Sequence, residues 1–146
     1  MSEQSVDKAP LNSALEIHDS ELGSILVEGF SVALQLTPAY IHKSHGRPGV
    51  DPGTGWTQDV TILIEDAVVV SNVVDFPCDL TDGTLTVDAE SWSNTISLPL
   101  QQRGLVNLVL VGKWGGEVSI SGKQIIVRPL GEAKYVEDFR PERSER

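Results

Sequence analysis

The chain contains a single cysteine, Cys78, in 146 residues. An intramolecular disulfide is therefore excluded, and the expectation is a core thiol or a reducing compartment rather than a stapled secreted scaffold. Basic residues are scarce too, with 11 Lys and Arg against 21 Asp and Glu, for a formal charge of −10. Nucleic acid and anionic membrane both reward a positive surface, so neither is expected as a partner. No apolar run reaches the roughly 18 residues that cross a bilayer. The opening MSEQSVDKAPLNSA has no charged-then-apolar leader pattern. The expectation is a soluble cytoplasmic protein. Helical periodicity is missing as well: no window carries apolar residues at i, i+3, i+4 and i+7 over three turns with a cap.

What the sequence does have is alternation. Val32, Leu34 and Leu36 form one block, followed by Val60, Ile62, Ile64; Leu85, Val87, Ala89; Ile96, Leu98, Leu100; and Val106, Leu108, Leu110. Val118 with Ile120 and Ile125 with Val127 complete the series. A period of two puts one set of side chains on a buried sheet face and the other toward water. Turn chemistry falls between the blocks at Glu28-Gly29, Asp82-Gly83, Ser93-Asn94, Gly115-Gly116 and Ser121-Gly122. Residues 15–22 read as a strand entering a turn at Asp19-Ser20, with a second strand through Ile25 and Val27. The β-branched run DAVVVSNVVDF at 66–76 reads as a central strand buried on both faces or as two strands bent at Ser71-Asn72.

These signals predict one all-β domain, an antiparallel β-sandwich or flattened barrel of about nine or ten strands. Its core is led by Val32, Leu34, Leu36, Ile62, Ile64, Val87, Leu98, Leu108, Leu110, Ile120 and Val127. The expected organisation is a flexible segment at 1–14, the β domain at 15–139 and a disordered tail at 140–146. Within the domain, the Gly/Pro-rich stretch KSHGRPGVDPGTGWTQD at 43–59 reads as a long loop. Loops beyond about 12–15 residues are usually functional or disordered, so this stretch is the first place to seek a site. Between Tyr40 and Val50 it is locally basic, with His42, Lys43, His45 and Arg47 and no acid. Residues 60–112 are the opposite, with seven acids against Arg103 alone.

Several residues suggest chemistry. His18-Asp19-Ser20-Glu21 gathers imidazole and carboxylates, but in a strand they split between two faces, and a strand end capped by Asp19 or Ser20, with His18 buried and hydrogen-bonded, accounts for them better. His42-x-x-His45 has zinc-ligand spacing, and with His18 it defines an alternative reading: a metal-dependent enzyme or small-molecule-binding barrel using His18, His42 and His45. The loop glycines match neither a dinucleotide fingerprint nor a phosphate loop. Cys78 lies between Asp75 and Asp79, which disfavour a reactive thiolate. Trp56, Trp92 and Trp114 sit beside glycine or small polar residues, as rings of a binding surface do and as edge-of-core rings do. The candidate binding set is His42, His45, Arg47, Trp56, Trp92 and Trp114. No cofactor is expected.

The segments LEIHDSEL at 15–22, Leu80-Thr81-Asp82-Gly83, SISGKQIIV at 119–127 and GEAKYVEDF at 131–139 resemble a group of small uncharacterised bacterial β-proteins. The hydrophobic-His-Asp-Ser opening is also similar to that of some bacterial immunity-type proteins. The resemblance implies a bacterial cytosolic β-domain and carries over no catalysis. The functional expectation is a non-catalytic binding module of the toxin-neutralising kind, facing a basic protein partner, with homodimerisation through a sheet edge as a further possibility.

Overall fold

The computed structural model describes residues 12–48 and 50–139. The expectations of a flexible lead at 1–11 and a disordered tail at 140–146 lie outside the described residues. Ten strands make up the fold: β1 Asn12–Glu16, β2 Glu21–Glu28, β3 Ser31–Ser44, β4 Gly53–Glu65, β5 Val68–Asn72, β6 Cys78–Val87, β7 Glu90–Ser93, β8 Thr95–Leu98, β9 Leu100–Gly112 and β10 Glu117–Phe139. Among the described residues there is no helix.

The alternating blocks become the facing layers of the core. Leu34 and Val127 both oppose Ile62, and Leu85 and Ile120 both oppose Leu108, all fully buried. Burying each such side chain is worth about 1.5–3 kcal/mol, which offsets the conformational entropy lost in ordering the strands. Every expected core residue is buried except Leu98, which is half-buried. It ends β8, which among the described residues pairs only with β1.

All strand pairs are antiparallel and run in the order β2-β6-β9-β10-β4-β3-β1-β8, with β5 on β10 and β7 on β6. Because β2 also pairs with β3, six strands come round on themselves. The closing junction between β2 and β6 is short: Glu21 opposite Asp79 and Leu22 opposite Cys78. The result is a flattened barrel pinched at that junction, not a regular cylinder.

Four expectations are corrected. The loop at 43–59 shrinks to 45–52, because Lys43 and Ser44 end β3 and 53–59 begin β4. There Gly55 lies between His42 and Glu137, and a Cβ on it would collide with the Tyr40 ring. The glycine serves close strand packing, not a loop. Residues 12–14 are not flexible, since Ala14 pairs with both His42 and Ser97. Asp82-Gly83 and Ser121-Gly122 lie inside β6 and β10, beside bulges where a side chain from another strand crosses closely. The 66–76 run is no doubly buried strand: among the described residues β5 pairs only with β10, and Val68 and Val70 face outward.

Candidate functional site

The turn joining β1 to β2 is built by its polar residues. Ile17 sinks into the core and leaves His18 and Asp19 outside, with Asp19 at φ 81°. Asn94 holds the turn from the β7–β8 connection. Its carbonyl accepts from Ile17 N at 2.7 Å, its Oδ1 accepts from His18 N at 2.8 Å, and its own N donates to Gly83 O at 2.7 Å. Asn94 has φ 65°, a left-handed conformation that asparagine tolerates well. Ser20 Oγ donates to Glu16 O at 2.6 Å and accepts from Tyr40 N at 2.9 Å.

Glu16 is the hub. Antiparallel pairing of β1 with β3 places it beside Tyr40 and His42. Its Oε1 lies 2.7 Å from His42 Nε2, and its Oε2 lies 2.8 Å from both His18 Nδ1 and Asn94 Nδ2. His42 is buried and His18 half-exposed. Tyr40 packs edge-on against the His42 ring, with centroids 5.1 Å apart, and its hydroxyl donates to Glu137. Burial pushes the Glu16 carboxyl up, but the hydrogen bonds to His42 and His18 and their charge outweigh it, and the net shift is downward. Burial and the Glu137 carboxylate together push the Tyr40 phenol up.

Of the three histidines expected to converge, the structure thus joins two through one carboxylate. His45 stands exposed at the start of the 45–52 loop. No group of three His, Cys, Asp or Glu side chains suited to a metal occurs among the described residues. Glu16, Asn94 and Tyr40 were absent from the expected site. The spacing Glu16-x-His18 carries the one sequence signal, since residues two apart in a strand share a face.

The 45–52 loop is tied internally. Arg47 N donates to Asp51 Oδ2 at 2.7 Å, and Ser44 Oγ donates to Pro52 O at 2.9 Å. With Asn12, Thr95 and Ser97 it rims a cleft of about 530 Å³, and Arg47 is exposed there. The three tryptophans part company. Trp56 is occupied by its own neighbours: Nε1 donates to Thr54 Oγ1 at 2.7 Å, Tyr135 packs edge-on at 5.5 Å and Lys43 Nζ sits 4.8 Å from the ring centroid. Trp92 is half-buried against the core on β7. Trp114, in the β9–β10 turn, is 86% exposed.

Trp114 borders an acidic surface. A cleft of about 570 Å³ brings it together with Val73, Pro77, Cys78 and the carboxylates of Glu21, Asp75 and Asp79. Glu21 and Asp79 also line an adjoining cleft of about 350 Å³ that reaches His18, Asp19 and Lys113. The Cys78 thiol is pushed up by burial and by the charges of Asp79 and Asp75, which keeps it protonated at neutral pH.

Next to this groove the sheet is open. On its β6 side, β2 pairs only at Glu21 and Leu22, and beyond its far end Ala67 N donates to Phe30 O at 2.8 Å. Between these two ties, among the described residues, no ladder joins 23–28 to 68–77. Ile25, Val69 and Val74 turn inward and pack half-buried against the core. Leu26, Phe30, Val68, Val70, Val73 and Phe76 are exposed, Phe30 at 78%.

The chain matches no protein-family model, no curated protein and no solved structure. Fold and surfaces define it as an antiparallel all-β domain with a polar hub at one turn and a cleft at one end that joins Trp114 to three carboxylates.

Proposed function

We propose that this protein is a non-catalytic binding module for a basic protein partner. The observation that carries the reading is the coincidence, at one end of the barrel, of exposed apolar residues with the Glu21, Asp75 and Asp79 carboxylates and the exposed Trp114 ring, whose centroid lies 5.3 Å from Lys113 Nζ. Monomeric proteins rarely leave large contiguous apolar surface uncovered without an interaction to serve. An exposed aromatic beside acidic groups offers both an anchor and a charge match to a basic surface, and the formal charge of −10 steers such a partner toward encounter. The contact surface differs from the one expected around 43–59, since Trp56 is spent on Lys43, Thr54 and Tyr135. Toxin neutralisation is the narrower form of this proposal, supported only by the resemblance of the opening segment. The alternative of a metal-dependent enzyme on His18, His42 and His45 is not favoured, because Glu16 engages the first two.

The test is affinity capture from the native host with the wild type beside Trp114→Ala and Asp75→Lys. A partner retained by the wild type, released by moderate salt and lost with both variants supports the proposal. Retention of the same proteins by all three forms overturns it.

A further inference from the structure

Resting on the reading of a basic protein partner, we infer that the Trp114 cleft is a receptor for one arginine side chain of that partner, and that Lys113 holds the ring until the guanidinium displaces it.

Backbone contacts fix the frame of the cleft on both sides. Lys113 N donates to Asp79 O at 2.8 Å, Gly115 N to Gly112 O at 3.1 Å and Gly112 N to Gly116 O at 3.0 Å. The turn that carries Trp114 is therefore closed on itself and tied to β6. Across from it, Val73 N donates to Glu117 O at 3.0 Å, and the Val73 carbonyl lies so close to Gly116 that an added Cβ would collide with it. A frame built before anything binds spares an incoming side chain the cost of ordering it.

The ring already carries a cation from its own chain. Lys113 Nζ stands 5.3 Å from the Trp114 centroid, toward the outer limit of about 6 Å for such contacts. Lys113 also lines the adjoining cleft, which shares Glu21 and Asp79 with the Trp114 cleft. Even so, among the described residues it forms no ion pair with a carboxylate, and the side chains of Glu21, Asp75 and Asp79 accept no hydrogen bond. The carboxylates of Asp51, Asp82 and Asp88, by contrast, are taken by backbone N–H groups. An exposed cation–ring contact is worth only about two- to fivefold in an equilibrium, so Lys113 yields to a better cation. A guanidinium is that cation: it stacks flat on an indole, forks onto a carboxylate and is more weakly hydrated than an ammonium. Val73 and Pro77 offer its methylene stem an apolar wall.

The probe is N-acetyl-arginine amide, titrated into the intact protein while the indole N–H signals of Trp56, Trp92 and Trp114 are followed by NMR, with the lysine and citrulline amides beside it. The expected result is a saturable shift of the Trp114 signal, about threefold or more weaker in affinity for lysine and absent for the neutral citrulline. Asp75→Asn combined with Asp79→Asn should weaken the arginine amide by about tenfold or more. Lys113→Met should tighten it by about two- to fivefold beyond Lys123→Met, which removes the same charge outside both clefts. Equal effects of the two lysine variants, or equal binding of the lysine and arginine amides, overturn the inference, since a diffuse negative field then explains the affinity. So does a wild-type dimer that the arginine amide dissociates, since the occupant is then a second copy. If host-partner capture depends on Trp114 and Asp75 but the arginine amide gives no saturable shift, the receptor falls and the binding-module reading stands. If the amide saturates the cleft while capture is indifferent to Trp114→Ala and Asp75→Lys, the partner reading falls and the side-chain site stands.

Discussion

Glu16 and His42 meet across the β1–β3 pair through a 2.7 Å contact between Oε1 and Nε2, while the other oxygen of the same carboxylate holds His18 Nδ1 at 2.8 Å. One acid on the first strand therefore organises the turn that follows it and the strand that covers it.

Removing that acid leaves a buried imidazole and the Asn94 amide without their shared acceptor. Glu16→Ala should lower the unfolding free energy by about 1–3 kcal/mol, the usual cost of a buried polar group deprived of its partner. Chemical denaturation measures it. In a double-mutant cycle with His42→Ala the two losses should add to more than the double variant shows; strict additivity would mean that the contact contributes nothing.

The same carboxyl sets an acid limit. Its folded pKa lies below the ordinary value of 4.5, so the unfolded chain binds the proton more readily. Its contribution is present above that ordinary value and is lost as the pH falls through the lower folded value. Wild-type stability should therefore decline more steeply below about pH 4.5 than that of Glu16→Gln. Parallel slopes in thermal melts across the acid range would contradict this.

Gly83 is a packing glycine in mid-strand. A Cβ added there would stand 2.8 Å from Ile17 Cδ1 and 3.0 Å from Leu110 Cδ2. Gly83→Ala should cost about 1–3 kcal/mol by overpacking. Ile17→Val alone also destabilises, by about 0.5–1.5 kcal/mol; added to Gly83→Ala it removes Cδ1 but keeps Cγ2, 2.9 Å from the added Cβ, and should recover only part of the loss. A double variant weaker than either single one would show that the clash lies elsewhere.

Two tryptophans should separate cleanly. Trp114→Ala should change stability by no more than about 0.5 kcal/mol, as exposed substitutions do. Trp56→Ala loses its contacts with Tyr135 and Lys43 and should cost about 2 kcal/mol, less than the full truncation of a core ring. Denaturant midpoints of the two variants decide it, and a large loss at Trp114 would mean that its ring is structural.

The core was legible because alternation reports burial directly. Leu34, Ile62, Leu108 and Val127 announce their face by spacing alone. Glycine was harder to read, because residues that suit a turn also suit a close crossing. Gly55, Gly83 and Gly122 make room for Tyr40, Ile17 and Ile64, and no local pattern distinguishes that use from a loop. The polar hub was half visible. Glu16 and His18 share a side by spacing, but His42 arrives through the β1–β3 register and Asn94 from 76 residues away. The place of β5 is a property of strand order, which alternation does not encode, so the run at 66–76 looked central when it is peripheral.

The long strand β10 has a consequence for how the chain is made. It lies between β9 and β4 and carries β5 on its flank. Until Glu117–Phe139 has left the ribosome the edges of β9 and β4 stay unpaired, and only the short β2–β6 ladder joins the two halves. Until then the nascent chain must wait with its apolar faces uncovered, the situation in which β-rich chains aggregate. The excess of seven acids over one base in residues 60–112 falls on that waiting stretch. Mutual repulsion between nascent chains is thus written into the part of the sequence that needs it longest.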